Sequence, residues 1–226
     1  MSKVFVNIGL SLDGYMAPEG MDIAHWDSPE YKQWGGRWGE LMSWILKQQY
    51  FRENLMFASG GETGPVNDML RQTLERTGAA IMGKRMFEQG ERSWPEKAPF
   101  HCPVYVLTHE KREPWVRPGG TTFHFCNEGA VQALEKARAV AGGRDIRISG
   151  GADVIQQYLY MDVIDELEIA LAPVLFGSGR RLFENLHDPV AKFRIDKVLH
   201  TPDATHLRYV RAFDQQPASL HPATHG

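Results

Sequence analysis

Apolar and polar positions along the chain recur with two periods, and the period changes mark the elements. Val4, Val6 and Ile8 alternate with Phe5 and Asn7 across residues 3–10, which predicts a first strand. Ser11-Leu12-Asp13-Gly14 then predicts a turn, with Asp13 hydrogen-bonding it and Gly14 taking a positive φ. Short apolar runs predict further strands at 79–82, 103–108, 121–125 and from Ile146. The run 163–176 predicts a long strand with acidic residues on one face and Ile164, Leu167 and Ile169 inside. Residues 193–200 and 205–213, around Thr201-Pro202-Asp203-Ala204, predict an antiparallel hairpin.

Helical spacing appears between the strands. Residues 66–76 put Met69, Leu70, Thr73 and Leu74 on an inner face, with Asp68 in the first turn where a carboxylate suits the helix dipole. Residues 130–141 predict a helix stopped by Gly142-Gly143, and another runs from Gly151 to about Tyr160. Strands alternating with helices predict an α/β domain over 1–213: a mostly parallel central sheet, helices on both faces and an antiparallel C-terminal hairpin. Residues 214–226 read as a disordered tail.

The stretch 21–60 departs from this alternation and is predicted to be an insertion. It holds Trp26, Trp34, Trp38 and Trp44, four of the six tryptophans, with Tyr31, Tyr50 and Phe51. Ser28-Pro29 predicts a helix start, Gly35-Gly36 a break, and 37–54 a longer helix with Trp34, Trp38, Leu41, Ile45 and Gln48 in one stripe. Trp44 and Phe51 lie off that stripe, so the helix has a second side for core, partner subunit or ligand. Residues 59–65 read as a flexible glycine-rich connection without the ending of a phosphate-loop motif.

In such sheets ligands bind at the carboxyl ends of strands. Three clusters fall there: Gly83-Lys84-Arg85, Thr108-His109, and Ser149-Gly150-Gly151. Unpaired N–H groups at a helix start attract anions, and glycines let a phosphate approach; the plainer reading is a turn that needs glycine for its backbone angles. Lys84 and Arg85 oppose the dipole of the helix they open, which an anionic ligand would explain; ordinary surface lysine and arginine are the equally weighted alternative.

Composition narrows the partners. Hydrophobic residues are 42% and charged residues 23% of 226, an ordinary globular balance, and the net charge of −3 with dispersed lysines and arginines gives no footprint for nucleic acid or an anionic membrane. The expected partner is a small molecule. No apolar run approaches the ~20 residues of a membrane helix, and the first residues lack a signal-peptide pattern, so a cytoplasmic protein is expected. Cys102 and Cys126 read as buried free thiols, and the nine histidines, His221 and His225 in the tail among them, form no metal-binding array.

SLDGYMA after the first strand, then IMGKRMFE, VYVLTH, ISGGADVIQQYL and ELEIALAPVLFGSGRRLF, resemble in this order the dihydrofolate reductase fold and more nearly the RibD C-terminal family of riboflavin biosynthesis. The likeness spans about 4–213 apart from the tryptophan-rich insertion. It implies an NADPH-dependent reductase acting on a C=N or C=O bond of a small substrate. By the same resemblance Lys84 and Arg85 meet the adenosine 2′-phosphate, with Thr108 and His109 beside them, and Gly83 is a further cofactor-binding residue. Ser149, Gly150, Gly151, Ala152, Asp153 and Val154 form the pyrophosphate turn, in which the family's Gly-Gly bond is often cis. Met16 and Ala17 lie beside the nicotinamide. Asp68 is the candidate acid, given burial that raises its pKa, and Asn67 stands on the strict match; Asn7, Asp13 and Asn67 are candidate substrate contacts. The zinc-binding deaminase motif is not present, so the riboflavin intermediate is not the expected substrate. A homodimer is expected. Two other readings stay open: a ligand-binding protein without turnover, and a flavin- or deazaflavin-dependent reductase in the same cleft.

Overall fold

The computed structural model describes residues 2–20, 25–56, 58–184, 186 and 192–212. The tail 214–226 with His221 and His225, Phe213 of the hairpin, and 21–24 of the insertion lie outside the described residues. Among the described residues nine strands form one sheet in the order β10-β11-β8-β1-β7-β3-β4-β6-β5. They are β1 (Val4–Ser11), β3 (Thr77–Gly83), β4 (Pro103–Leu107), β5 (Trp115–Arg117), β6 (Thr121–Cys126), β7 (Asp145–Gly150), β8 (Glu166–Ala172), β10 (Phe193–His200) and β11 (Thr205–Arg211). Six strands, from β8 through β1, β7, β3 and β4 to β6, run parallel; β11 and β5 pair antiparallel with β8 and β6, and β10 with β11. β2 (Tyr15–Pro18) and β9 (Gly179–Arg181) pair separately, a ribbon the sequence reading did not anticipate.

Strand alternation divides the core between two faces. On one, Val4, Val6, Ala79, Ile81, Ile146 and Ile148 pack with α6 (Ala130–Val140) and α7 (Ala152–Tyr160). On the other, Ala80, Met82, Val104 and Val106 pack with Phe87 of α5 (Lys84–Ser93). The inner strands are therefore covered on both sides and need apolar residues at both parities. Further along that second face, Val66 and Leu70 of α4 (Pro65–Arg76) cover Ala170 together with Trp44.

Several expectations need correction. Gly35-Gly36 does not break the helix: α1 (Pro29–Leu41) runs through both glycines, held by Tyr31 and Trp34 packed on Ala17. The helix expected over 37–54 is instead divided into α1, α2 (Ser43–Leu46), α3 (Gln49–Phe51) and a π-helical turn, Arg52–Met56, because the chain bends at Met42 to bury Trp44. The connection 59–65 is pinned rather than loose, since the Glu62 amide donates to Lys47 O and Glu62 O accepts from Gln49 N. The strand expected over 163–176 is shorter, and Glu166 is fully buried instead of facing water.

Charge pairing explains that buried acid. Glu166 accepts from Lys3 at 2.5 Å, Arg76 at 2.8 Å and Arg208 at 2.8 Å. Arg76 also reaches Asp145 and Glu168 and lies over the Phe5 ring at 3.6 Å. Burial opposes the charged form of Glu166, but the bonds from Lys3 and Arg76 and the charges of Arg76 and Arg208 outweigh it and hold the carboxyl below its usual range. This network closes the amino ends of β1 and β8. Cys102 and Cys126 are buried thiols, and burial pushes Cys102 up to about 11.

Candidate functional site

At the other end of the sheet two glycine turns meet. Met82 of β3 pairs with Gly150 of β7, so the turns that follow these neighbouring strands start side by side. A Cβ on Gly83 would lie 3.0 Å from Val154 Cγ2 and 3.7 Å from Gly151 N, so a side chain there would crowd the first turn of α7. Gly150 has φ +123°, and its peptide bond to Gly151 is cis. A Cβ there would meet Met86 Sδ at 3.5 Å and Met16 Cε at 3.6 Å, which brings Met16 beside the same turn.

Helices α5 and α7 open directly from these turns, and neither has a side-chain cap. Their first N–H groups carry the positive ends of two helix dipoles. Ser149, buried just before Gly150, has a hydroxyl without a hydrogen-bond partner among the described residues. The uncapped start of α7, approached past Gly150 and Gly151, suits a ligand rich in acceptor oxygens, so the residues present fit a pyrophosphate.

The cations are placed less simply. Lys84 bonds Glu110 and lies 3.6 Å from Glu88, and the Glu110 bond raises its pKa most. The charge at the start of α5 is thus already balanced by carboxylates, and a ligand is not required to explain it. Thr108 Oγ1 accepts from Glu110 N within the 108–110 turn, and the Lys84–Glu110 pair ties that turn to α5. Arg85 and His109 are exposed.

Beside the first turn of α7 a cleft of about 650 Å³ opens between Ala152, Asp153, Tyr15, Gly177, Arg180 and Arg181. Arg180 lies 3.9 Å from Asp153, and Arg181 stacks over Tyr15 at 4.5 Å. Sequence reasoning gave these two arginines no role, although they follow the glycines that end the β8 segment. Asp13 shapes this side as a clamp: its carboxylate accepts from Ser11 Oγ at 2.6 Å, Gly177 N at 2.7 Å and Phe176 N at 3.1 Å. Burial opposes its charge, but those hydrogen bonds prevail and bring its pKa to about 2.

Asp68, the expected acid, lacks the burial that a raised pKa requires. Asp68 is 48% exposed and paired with Arg71, because the first turn of α4 faces solvent there. Asn67 Oδ1 accepts from Tyr50 N at 2.7 Å and so fastens the insertion to α4. Asn7 faces α4 and donates to Glu168 Oε2 at 2.9 Å.

The insertion approaches the site from two directions. Tyr31 and Trp34 rest on Ala17, and Arg92 of α5 lies 5.8 Å from the Trp26 ring, so α1 joins the β2 loop to α5. Met42 Sδ and Trp44 Nε1 lie 3.2 and 3.6 Å from where a Gly9 Cβ would be, which makes this glycine the seat of the insertion on β1.

Residues 2–207 match the family model of the RibD C-terminal domain. Over 88 residues the chain is 38% identical to YwjB of Bacillus subtilis (strain 168), an uncharacterized protein, covering 39% of this chain and 49% of that relative. A putative riboflavin biosynthesis protein from Shewanella sp. PV-4 superimposes with a TM-score of 0.63 at 21% identity, over 94% of this chain and 100% of that one. A dihydrofolate reductase from Enterococcus faecalis, solved with NADP(H), superimposes with a TM-score of 0.50 at 13% identity, over 92% and 96%. Among the described residues no helix is long and apolar enough to cross a membrane. With the family model matched over almost the whole chain, and the same fold in these solved structures, this chain belongs to the RibD C-terminal domain family.

Proposed function

We propose that the chain is an NADPH-dependent reductase that delivers hydride to a C=N or C=O bond of a small, heterocyclic substrate. The meeting of the Gly83 turn with the Gly150–Gly151 turn, at the carboxyl ends of adjacent parallel strands, carries the reading. NADPH, when bound, supplies the hydride from its nicotinamide ring. The α7 amides and the Ser149 hydroxyl hold the pyrophosphate, and Arg180 adds a cation beside them. Arg85 takes the adenosine 2′-phosphate, with Lys84 exchanging Glu110 for it. Met16 and Ala17 border the nicotinamide, and α1 excludes water above them. With Asp68 exposed and Asn67 committed to Tyr50, the accompanying proton is drawn from water. A homodimer is part of this proposal, in keeping with Trp38, 37% exposed, on α1.

Titration of the purified chain with NADPH and NADH, followed by quenching of tryptophan fluorescence, tests the cofactor. Tighter binding of NADPH is expected; equal affinity, or binding of neither, overturns the assignment. The exposed position of Asp68 favours a second reading, a nucleotide-binding protein without turnover. NADPH binding with no acceleration of its oxidation by imines, pterins, flavins or carbonyl compounds would select that reading.

A further inference from the structure

The parallel register of β3 and β4 brings a carboxylate to the start of α5. Gly83 pairs with Leu107, so the chain that leaves β3 into α5 and the chain that leaves β4 begin as neighbours. Thr108 N donates to Cys126 O at 3.1 Å, which keeps the second chain on the sheet for one residue more. Thr108 Oγ1 then accepts from Glu110 N at 3.1 Å and closes the 108–110 turn. At its end Glu110 Oε1 accepts from Nζ of Lys84, the first residue of α5.

Glu110 therefore sits where an anion from solution would go. The uncapped start of α5 offers free amides, the positive end of a dipole and two adjacent cations. Arg85 makes no ion pair among the described residues, so Lys84 is the cation whose charge is answered from within the chain, by Glu110 and, at 3.6 Å, by Glu88. The bond to Lys84 holds the Glu110 carboxyl below its usual range, which keeps it charged at neutral pH. Glu88 is fixed one turn along the same helix, whereas Glu110 is on a turn and its side chain is 54% exposed. A phosphate monoester brings about two negative charges to the same ammonium. Glu110 has to give way before it.

Resting on the NADPH reading above, we propose that Glu110 is a specificity-determining residue of the 2′-phosphate subsite: an internal competitor that occupies Lys84 until a phosphate monoester displaces it, and so restrains the preference for NADPH over NADH. Its sign is opposite to that of a contact residue, since its removal strengthens binding of the phosphorylated cofactor. Exposed ion pairs are weak, so the gain is about three- to fivefold and not orders of magnitude.

The purified chain, Glu110→Gln and Glu113→Gln are titrated with NADPH and with NADH, followed by quenching of tryptophan fluorescence. Glu110→Gln should tighten NADPH about three- to fivefold and change NADH by less than about twofold. Glu113→Gln removes the same charge from an exposed residue next to the turn and should change neither. The gain should shrink in about 0.5 M sodium chloride. It should vanish when Glu110→Gln is combined with Lys84→Gln, because the cation to be freed is gone. An NADPH affinity unchanged or lower in Glu110→Gln, an equal gain for NADH, an equal gain in Glu113→Gln, or a gain that survives Lys84→Gln overturns the role of Glu110 and leaves the cofactor reading standing. Failure of NADPH to bind the parent and the variants alike overturns both.

Discussion

At the amino ends of β1 and β8, Glu166 is fully buried and meets three cations, whereas at the carboxyl ends of β3 and β7 the buried Ser149 hydroxyl has no partner and two helices start without side-chain caps. Both ends belong to one sheet and bury polar groups. At the amino end those groups satisfy one another, so Glu166 serves the fold. At the carboxyl end glycine replaces side chains at Gly83 and Gly150, and hydrogen-bonding capacity is left unused. Polar groups are satisfied in the large majority of folded interiors, so an unpaired buried hydroxyl beside two uncapped helix starts sets this rim apart from the paired charges around Glu166.

The largest effect expected from breaking this contrast is at the structural end. Glu166→Ala leaves Arg76 and Arg208 without their shared acceptor and should lower the unfolding free energy by about 3 kcal/mol in urea denaturation, at the low end for a broken buried pair. Lys3 and Arg208 reach solvent and can rehydrate, which keeps the loss from being larger. NADPH affinity should not change. A loss below about 0.5 kcal/mol would mean that the network does not tie the strands together.

Gly83→Ala acts at the rim. The added methyl meets Val154 Cγ2 at 3.0 Å, so the first turn of α7 must yield by a few tenths of an ångström. Stability should fall by about 1 kcal/mol, the lower range for overpacking. NADPH affinity should fall about tenfold, since the amides of α7 move from their place beside Gly83. Unchanged affinity with reduced stability would show that the spacing of the two turns matters to the fold alone.

Asp13 lies between these extremes, a clamp next to the cleft. Its folded pKa of about 2 is below the ordinary 3.8, so its contribution to stability is complete above pH 3.8 and is lost as pH falls through 2. Asp13→Asn should therefore lower the thermal midpoint near neutral pH, with a gap from the parent that narrows from pH 4 to pH 2 and then closes. A gap independent of pH would assign the effect to amide geometry instead of charge.

How much of this contrast could be read in the sequence depends on whether its parts are local. The Gly150–Gly151 turn was legible because strand, glycines and helix are consecutive, and the Gly83 turn for the same reason. The amino-end network was not: Lys3, Arg76, Glu166 and Arg208 are drawn from four distant segments, and an acidic residue in an alternating strand reads as solvent-facing. The break expected at Gly35-Gly36 failed likewise, since the packing of Tyr31 and Trp34 on Ala17 outweighs the low helix propensity of two glycines. Asp68 had the right neighbourhood in sequence, yet α4 turns its side chain outward to Arg71.

The smallest change in stability, and the sharpest test of the rim, is Ser149→Ala. Removing a buried hydroxyl that bonds nothing should leave the unfolding free energy unchanged within about 0.5 kcal/mol, or raise it, because no hydrogen bond is lost and a desolvation cost disappears. If a phosphate oxygen accepts from that hydroxyl, the same substitution removes one hydrogen bond from the bound state only. NADPH affinity should then fall about three- to tenfold, the equivalent of roughly 0.7–1.4 kcal/mol. Binding and stability therefore move independently, which a structural serine could not produce. A parallel loss of stability would give the hydroxyl a partner within the fold, and an unchanged affinity would place the ligand's acceptors beyond its reach.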